Sequence, residues 1–308
     1  ILSGLVGSEM CIRDRIKSVA FIGAGNMGAP MARCALRAGY ALTICDRNPA
    51  VRDAFAAQGV RTTADVADCA AADAIIVLLA NDAQITEAML GERGLAQAIP
   101  AGHHPLVCMM STTLPSTLRA LEAPLAAAGA CLLDAPISGG IVGAQDGTLT
   151  IMLGGSQKDV LRAQPLMQAM GKGIFHCGAL GSAAVTKIIN NMLCVTNMFL
   201  TAEAVELAAA HGVDFEHLAP VLEVSTGLNF LTADATAGRA QYRAWVPTEA
   251  AFADIHRIIS KDLHLAMALG DAASLDLGML KQVSGFVDEH GGQAGARWKR
   301  AGEPPHTE

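Results

Sequence analysis

Short, continuous apolar runs punctuate the first 178 residues at near-regular intervals. They are Val19-Ala20-Phe21-Ile22, Ala41-Leu42-Thr43-Ile44-Cys45, Ala74-Ile75-Ile76-Val77-Leu78-Leu79 and Pro105-Leu106-Val107-Cys108-Met109-Met110, with later runs at 130–134, 149–153 and 174–177. The early runs are followed by polar turn residues and then by a 3.6-period pattern. Uninterrupted apolar character over four to six residues, rather than strict alternation, predicts strands covered on both faces, as in a sheet built from βαβ units. The expectation for residues 16–178 is therefore an α/β, Rossmann-type doubly wound sheet.

The pattern then changes. From Ser182 to Ala210 there is no proline or glycine, and apolar spacing persists throughout. This predicts one helix of ~28 residues, ~42 Å long at about 1.5 Å per residue, long enough to join two domains. Beyond His211-Gly212 the stronger patterns, 252–269 and 275–287, are both helical, so residues 179–290 read as an all-α C-terminal domain entered by a long interdomain helix. The tail, 291–308, is rich in Gly, Pro and charge and is expected to fray at its end. At the other end, residues 1–15 (ILSGLVGSEMCIRDR) lack a basic start and have too short an apolar stretch for a signal peptide. The string resembles translated sequencing-adapter sequence, and the native chain is expected to begin near Ile16.

Composition narrows the function classes. With 52% hydrophobic but only 4% aromatic residues, burial falls to Ala, Val, Leu, Ile and Met in helices and strands. A formal charge of -7 without a dense Lys/Arg run argues against a nucleic-acid partner. The 8 cysteines include no CxxC pair and read as reduced thiols of a cytoplasmic protein. No run of ~18 uninterrupted apolar residues occurs, and the best candidate carries Lys187, Asn190 and Asn191, so no membrane partner is expected. No metal site is expected either.

The most specific local string is Gly23-Ala24-Gly25-Asn26-Met27-Gly28, set between the first apolar run and the first helical pattern. Glycine at its three positions permits a tight turn, close approach of a pyrophosphate and close helix–strand packing, with helix N-terminal amides facing the phosphates. At the end of the second run stand Asp46 and Arg47. A carboxylate there accepts hydrogen bonds from a ribose 2′-hydroxyl and repels a 2′-phosphate, which favours NAD, whereas Arg47 leaves NADP open. Asp46 also has a plain structural reading, as cap of the helix entered at Pro49.

Four further segments are ordered along the chain: Ser111-Thr112-Thr113-Leu114-Pro115, Asp134-Ala135-Pro136-Ile137-Ser138-Gly139-Gly140 continued to Thr150, Gly178-Ala179-Leu180-Gly181 leading to Lys187 and Asn191, and Lys261-Asp262-Leu263. With the glycine turn they make residues 16 to about 290 resemble the β-hydroxyacid dehydrogenase family, which includes 3-hydroxyisobutyrate dehydrogenases and tartronate semialdehyde reductases. The ordered set, rather than any single string, carries the resemblance.

The resemblance implies a dehydrogenase of small 3-hydroxy acids. Lys187 falls on the catalytic lysine, Asn191 on the substrate-binding asparagine, and Ser138, Gly139 and Gly140 on the loop that holds the substrate carboxylate. The cofactor side takes Gly23, Gly25, Asn26, Met27, Gly28, Asp46 and Arg47. Leu79, Ala80 and Asn81 fall on the loop after the fourth strand, and Thr112 and Lys261 on positions near the nicotinamide. Two departures stand out: Ala80 where the family often has proline, and Leu228 where many members have arginine. The second puts 3-hydroxyisobutyrate itself, or a phosphate-bearing substrate, in doubt.

The residues support this reading on their own terms. Positions 187 and 191 are four apart, so an ammonium and an amide share one helix face. Burial, or a second cation such as Lys261, disfavours a charged lysine and suits it to proton transfer. Structural readings stay open beside these: a solvated lysine at 187, a helix–helix hydrogen bond from Asn191, a simple turn at 138–140, and pairing of Lys261 with Asp262. Two functional alternatives remain. A decarboxylating 6-phosphogluconate dehydrogenase-like enzyme is disfavoured because Asn190 and Met192-Leu193 stand where those relatives carry histidine and glutamate. A non-catalytic dinucleotide-binding scaffold is disfavoured by the retained Lys187, Asn191 and Ser138. The apolar helices imply a homodimer or homotetramer.

Overall fold

The apolar runs form the strands of a sheet in a computed structural model that describes residues 15–304. Of the expected leader, residues 1–14 lie outside the described residues, as do residues 305–308 of the tail. The described residues form two units, which meet in sequence between Lys187 and Ile188.

The first unit runs β1 (Ser18–Ile22), α1 (Gly28–Arg37), β2 (Ala41–Cys45), α2 (Pro49–Ala56), β3 (Arg61–Thr63), β4 (Ala74–Val77), α3 (Asp82–Leu90), α4 (Leu95–Ala98), β5 (Leu106–Met109), α5 (Pro115–Ala127) and β6 (Cys131–Asp134). It continues through β7 (Ile137–Ser138), α6 (Gly140–Asp146), β8 (Leu149–Gly154), α7 (Gln157–Gln168) and β9 (Gly171–Gly178) into α8 (Ser182–Ala210). Among the described residues the strand order is β3-β2-β1-β4-β5-β6-β8-β7, with β9 paired to β8. The first six strands are parallel in the doubly wound order, which reverses between β1 and β4. Ligands of such sheets gather outside the carboxyl ends of the strands at that reversal.

Both faces of the sheet are covered. Val19, Phe21, Ile44, Ile76 and Cys108 belong to one buried cluster. Their neighbours Ala20, Ile22, Ile75, Val77 and Val107 belong to the other. Successive strand residues point to opposite sides, so the absence of alternation in the sequence reflects two buried faces. The parallel pattern stops at β6: β8 runs antiparallel to both β6 and β7 and parallel to β9. Strand β3 was not legible from hydrophobicity, because it is a three-residue polar stretch paired at the sheet edge.

Helix α8 begins in the first unit and continues into the second. The second unit adds α9 (Phe215–Glu223), α10 (Ala235–Trp245), α11 (Glu249–Ala272), α12 (Gly278–His290) and α13 (Ala294–Gly302). Lys261-Asp262-Leu263 lies in the middle of α11 rather than opening a helix, because Thr248 caps that helix thirteen residues before Lys261 by accepting from Ala251 N.

Within the tail, residues 294–302 form a helix, and the expectation of fraying at its end falls largely outside the described residues. Trp298 is fully buried in an aromatic cluster with Phe199, Tyr242, Trp245 and Phe252, at ring separations of 5.1, 6.0, 5.5 and 5.5 Å. Arg297 meets Glu203 and Glu206 on α8, at 2.8 and 2.5 Å. One indole therefore anchors this segment of a tail rich in glycine, proline and charge.

The buried Trp298 indole N–H has no hydrogen-bond partner among the described residues, so its worth lies in packing. Trp298→Ala is expected to destabilise the second unit by about 3–5 kcal/mol in denaturant titration, and Trp298→Phe by less than about 1.5 kcal/mol. Equal losses in the two variants would contradict a packing role.

Candidate functional site

The turn after β1 is fixed sterically. Gly23 has φ +92°, and a Cβ there would stand 2.2 Å from the carbonyl oxygen of Leu78 at the end of β4. A Cβ at Gly28 would stand 2.3 Å from the carbonyl oxygen of Gly23. Neither position admits a side chain, so the backbone after β1, the backbone after β4 and the start of α1 come together. Gly25 faces open space instead.

A cavity of about 790 Å³ lies against this turn, lined by Gly23, Gly25, Asp46, Arg47 and Leu79 among others. Asp46 organises its floor: one carboxylate oxygen accepts from Ala24 N and the other from Asn48 N, both at 2.8 Å. Asp46 is therefore not the cap of α2. That role belongs to Asn48, whose side chain accepts from Ala50 N.

The wall residues suit a dinucleotide. The cavity has the volume of a small-molecule site, Gly23 and Gly25 of the turn that leads into α1 line it, and an oriented carboxylate with remaining lone pairs stands beside an arginine at the end of β2. Cys45 also lines it, and a hydrogen bond with buried Cys69 holds the Cys45 thiol below its ordinary range and pushes that of Cys69 up.

Other residues expected on the cofactor side have different surroundings. Leu79 is on the wall, its N–H donating to Ser111 Oγ at 2.7 Å. Asn26 is exposed in the turn, and Met27 stands at the start of α1, half-buried against the core. Asn81 is off the cavity wall: its side chain caps α3, accepting from Gln84 N at 2.9 Å. Thr112, half-buried in the loop after β5, is also off the wall. Next to it Thr113 donates to Asp82 at 2.7 Å, tying that loop to α3.

The polar loop after β6 passes through β7 to Gly139 and Gly140, which are exposed and have φ +127° and +64°. Ser138, at the end of β7, is half-buried. Lys187, in the second turn of α8, is only 9% exposed. In the second unit Asn191 donates from Nδ2 to Asp262 Oδ2 at 2.6 Å, and accepts from Asn190 Nδ2 at 3.2 Å. Lys261 Nζ lies 3.1 Å from Asp262 Oδ1. The helix–helix bond and the ion pair left open by the sequence are thus both present, and they converge on one buried carboxylate.

Sequence reasoning missed two residues. Asp262 holds Asn191 and Lys261 together, and Asp134 accepts two backbone N–H groups at the start of α8. An acid ending a strictly apolar strand was the available signal for Asp134, since burial demands partners for its charge.

Comparison with known proteins agrees with this architecture. Residues 18–181 match the NAD binding domain of 6-phosphogluconate dehydrogenase, and residues 181–301 match the NAD-binding domain of NADP-dependent 3-hydroxyisobutyrate dehydrogenase. The chain is 39% identical over 216 residues to an NAD-dependent L-serine dehydrogenase of Pseudomonas aeruginosa, covering 70% of this chain and 72% of that protein. It is 36% identical to a 3-hydroxyisobutyrate dehydrogenase of the same organism, covering 85% and 89%. The structure of the Mycobacterium tuberculosis 3-hydroxyisobutyrate dehydrogenase with L-serine superposes with a TM-score of 0.75 at 28% identity, over 89% of this chain and 93% of that one. With the strand order, the glycine turn and the matches in both halves in agreement, the chain belongs to the β-hydroxyacid dehydrogenase family of NAD(P)-dependent oxidoreductases.

Proposed function

We propose that this protein oxidises a small 3-hydroxy acid to its semialdehyde with NAD, reversibly, and that Lys187 moves the proton. The observation that carries this reading is a lysine only 9% exposed, in the second turn of α8 and in the same unit as the glycine-turn cavity. A lysine is seldom kept from water unless it is paired or has a chemical task, because its ammonium loses hydration.

Bound NAD supplies a nicotinamide ring that accepts a hydride. Lys187, as the amine, takes the proton of the substrate hydroxyl, and in the reverse direction its ammonium donates a proton to the aldehyde oxygen. The exposed amides at Gly139 and Gly140, with the Ser138 hydroxyl, hold the substrate carboxylate. Asn191, oriented by Asp262, hydrogen-bonds the substrate. L-serine and 3-hydroxyisobutyrate, named for the relatives, share a primary 3-hydroxyl, a C2 substituent and a carboxylate, and that common core defines the substrate class. Leu228, 53% exposed where many family members have arginine, favours a substrate without a second anionic group.

Asp46 supports NAD over NADP, because its carboxylate is already aimed along the wall by two backbone N–H groups. The cofactor residues proposed are Gly23, Gly25, Asn26, Met27, Gly28, Asp46, Arg47, Leu79, Asn81, Thr112 and Lys261. A homodimer or homotetramer is proposed from α8, where Ile189, Leu193, Leu200 and Leu207 are 47–63% exposed along one helix face. That stripe also accounts for α8 having the length and apolarity of a membrane-crossing helix. The cytoplasmic assignment is supported by the reduced, buried thiols of Cys34, Cys45, Cys69 and Cys108.

Lys187→Ala is expected to lower kcat by about 10²–10⁴-fold while leaving the NAD dissociation constant, followed by fluorescence titration, nearly unchanged. Turnover close to wild type would end the assignment. Asp46→Ser is expected to weaken NAD binding about tenfold or more, through loss of a charge-assisted hydrogen bond, and to relax discrimination against NADP. An unchanged ratio of NAD to NADP efficiency would contradict that role.

A further inference from the structure

We propose that Asp134 is a positioning residue for the reaction: its carboxylate locks the first turn of α8 onto the end of β6 and thereby fixes where Lys187 stands. This rests on the reading of Lys187 as the proton-transfer group.

The start of α8 has no cap of its own. Val185 N donates to the carbonyl oxygen of Gly181 at 3.1 Å, so Gly181 occupies the position where a serine, threonine or aspartate side chain ordinarily serves the free N–H groups of the first turn. Glycine offers none. The acceptors come instead from 47 residues upstream: Asp134 Oδ1 accepts from Gly181 N and Oδ2 from Ala184 N, both at 2.8 Å. The carboxylate is only 1% exposed, and its burial is compensated by these two donors and by the positive end of the helix.

The residue providing this cap cannot drift. Asp134 pairs with Met109 of β5 and with Gly154 of β8, and Ala135 N donates to the carbonyl oxygen of Met109 at 2.7 Å. Position 154 is shaped around the carboxylate, since a Cβ there would lie 2.2 Å from Asp134 Oδ1 and 2.7 Å from Cγ. A rigid strand end thus grips a helix end through both oxygens of one side chain.

Lys187 follows Ala184 by three residues, so it sits on the same helix face about one turn further along. A shift of the first turn is transmitted to it with little loss, because the intervening helix is hydrogen-bonded throughout. The strand that carries Asp134 also runs directly on to Ile137 and Ser138. One carboxylate therefore sets the spacing between the loop proposed to hold the substrate carboxylate and the lysine proposed to move the proton. Catalysis is sensitive to that spacing, a misplacement of about 1 Å costing on the order of a hundredfold.

The test compares Asp134→Asn, Asp134→Ala and Gly154→Ala with wild type and with Lys187→Ala. The quantities read are kcat, KM for the 3-hydroxy acid the wild type turns over fastest, the NAD dissociation constant and the melting temperature. Gly154→Ala crowds the carboxylate without removing any polar group. Asp134→Asn keeps the size and one acceptor oxygen. The expected result is a fall in kcat of about tenfold or more in Gly154→Ala and Asp134→Asn, a larger fall in Asp134→Ala, and NAD affinity within about twofold of wild type. Partial rescue of Ala by Asn marks positioning. A kcat within about twofold of wild type in Asp134→Asn and Gly154→Ala, with only the melting temperature lowered, would reduce Asp134 to a structural cap and overturn the proposal. Loss of turnover in Lys187→Ala beside full turnover in the Asp134 variants overturns the positioning role alone; full turnover in both overturns the lysine assignment as well.

Discussion

Everything on the cofactor side depends on backbone segments approaching more closely than any side chain permits. At Gly23 and Gly28 an added carbon would fall 2.2 and 2.3 Å from a carbonyl oxygen. The consequence is geometric: β1, β4 and α1 converge at the reversal of strand order, and Gly23 and Gly25 of the turn border a cavity of about 790 Å³. A larger residue at either glycine would separate these segments and remove the surface along which a dinucleotide phosphate can approach.

Carboxylates then hold this arrangement in place. Asp46 fixes the glycine turn through Ala24 N, Asp82 ties the loop after β5 to α3 through Thr113, and Asp134 fastens α8 to the sheet. In the second unit Asp262 gathers Asn191 and Lys261. Each acid is supplied with N–H, O–H or ammonium partners, as a charge removed from water requires. The net negative charge of the chain thus includes acids with internal architectural roles and is not only a surface property.

The legibility of this molecule in its sequence follows from the range of each interaction. Doubly covered strands announce themselves as continuous apolar runs, and α8 as a long stretch free of proline and glycine, because burial there is set by local pattern. The edge strand β3 has three polar residues and no such pattern. Helix α13 depends on one indole meeting an aromatic cluster drawn from α8, α10 and α11, which composition does not reveal. The cap on α8 comes from a residue distant in sequence, so the missing local cap at Gly181 was a sign without a solution. Asn81 and Thr112 came from family position alone, and their surroundings show a helix cap and a loop residue that does not line the cavity.

The most direct test is the rate of NAD reduction, followed by nicotinamide absorbance, by the wild-type chain against a panel of 3-hydroxy acids that includes L-serine and 3-hydroxyisobutyrate, with 2-hydroxy acids and 6-phosphogluconate as controls. The account predicts turnover of at least one small 3-hydroxy acid, rising with pH as the hydroxyl proton is more readily released, and none with the controls. Tight NAD binding without reduction by any 3-hydroxy acid, or preferential turnover of 6-phosphogluconate, would contradict it.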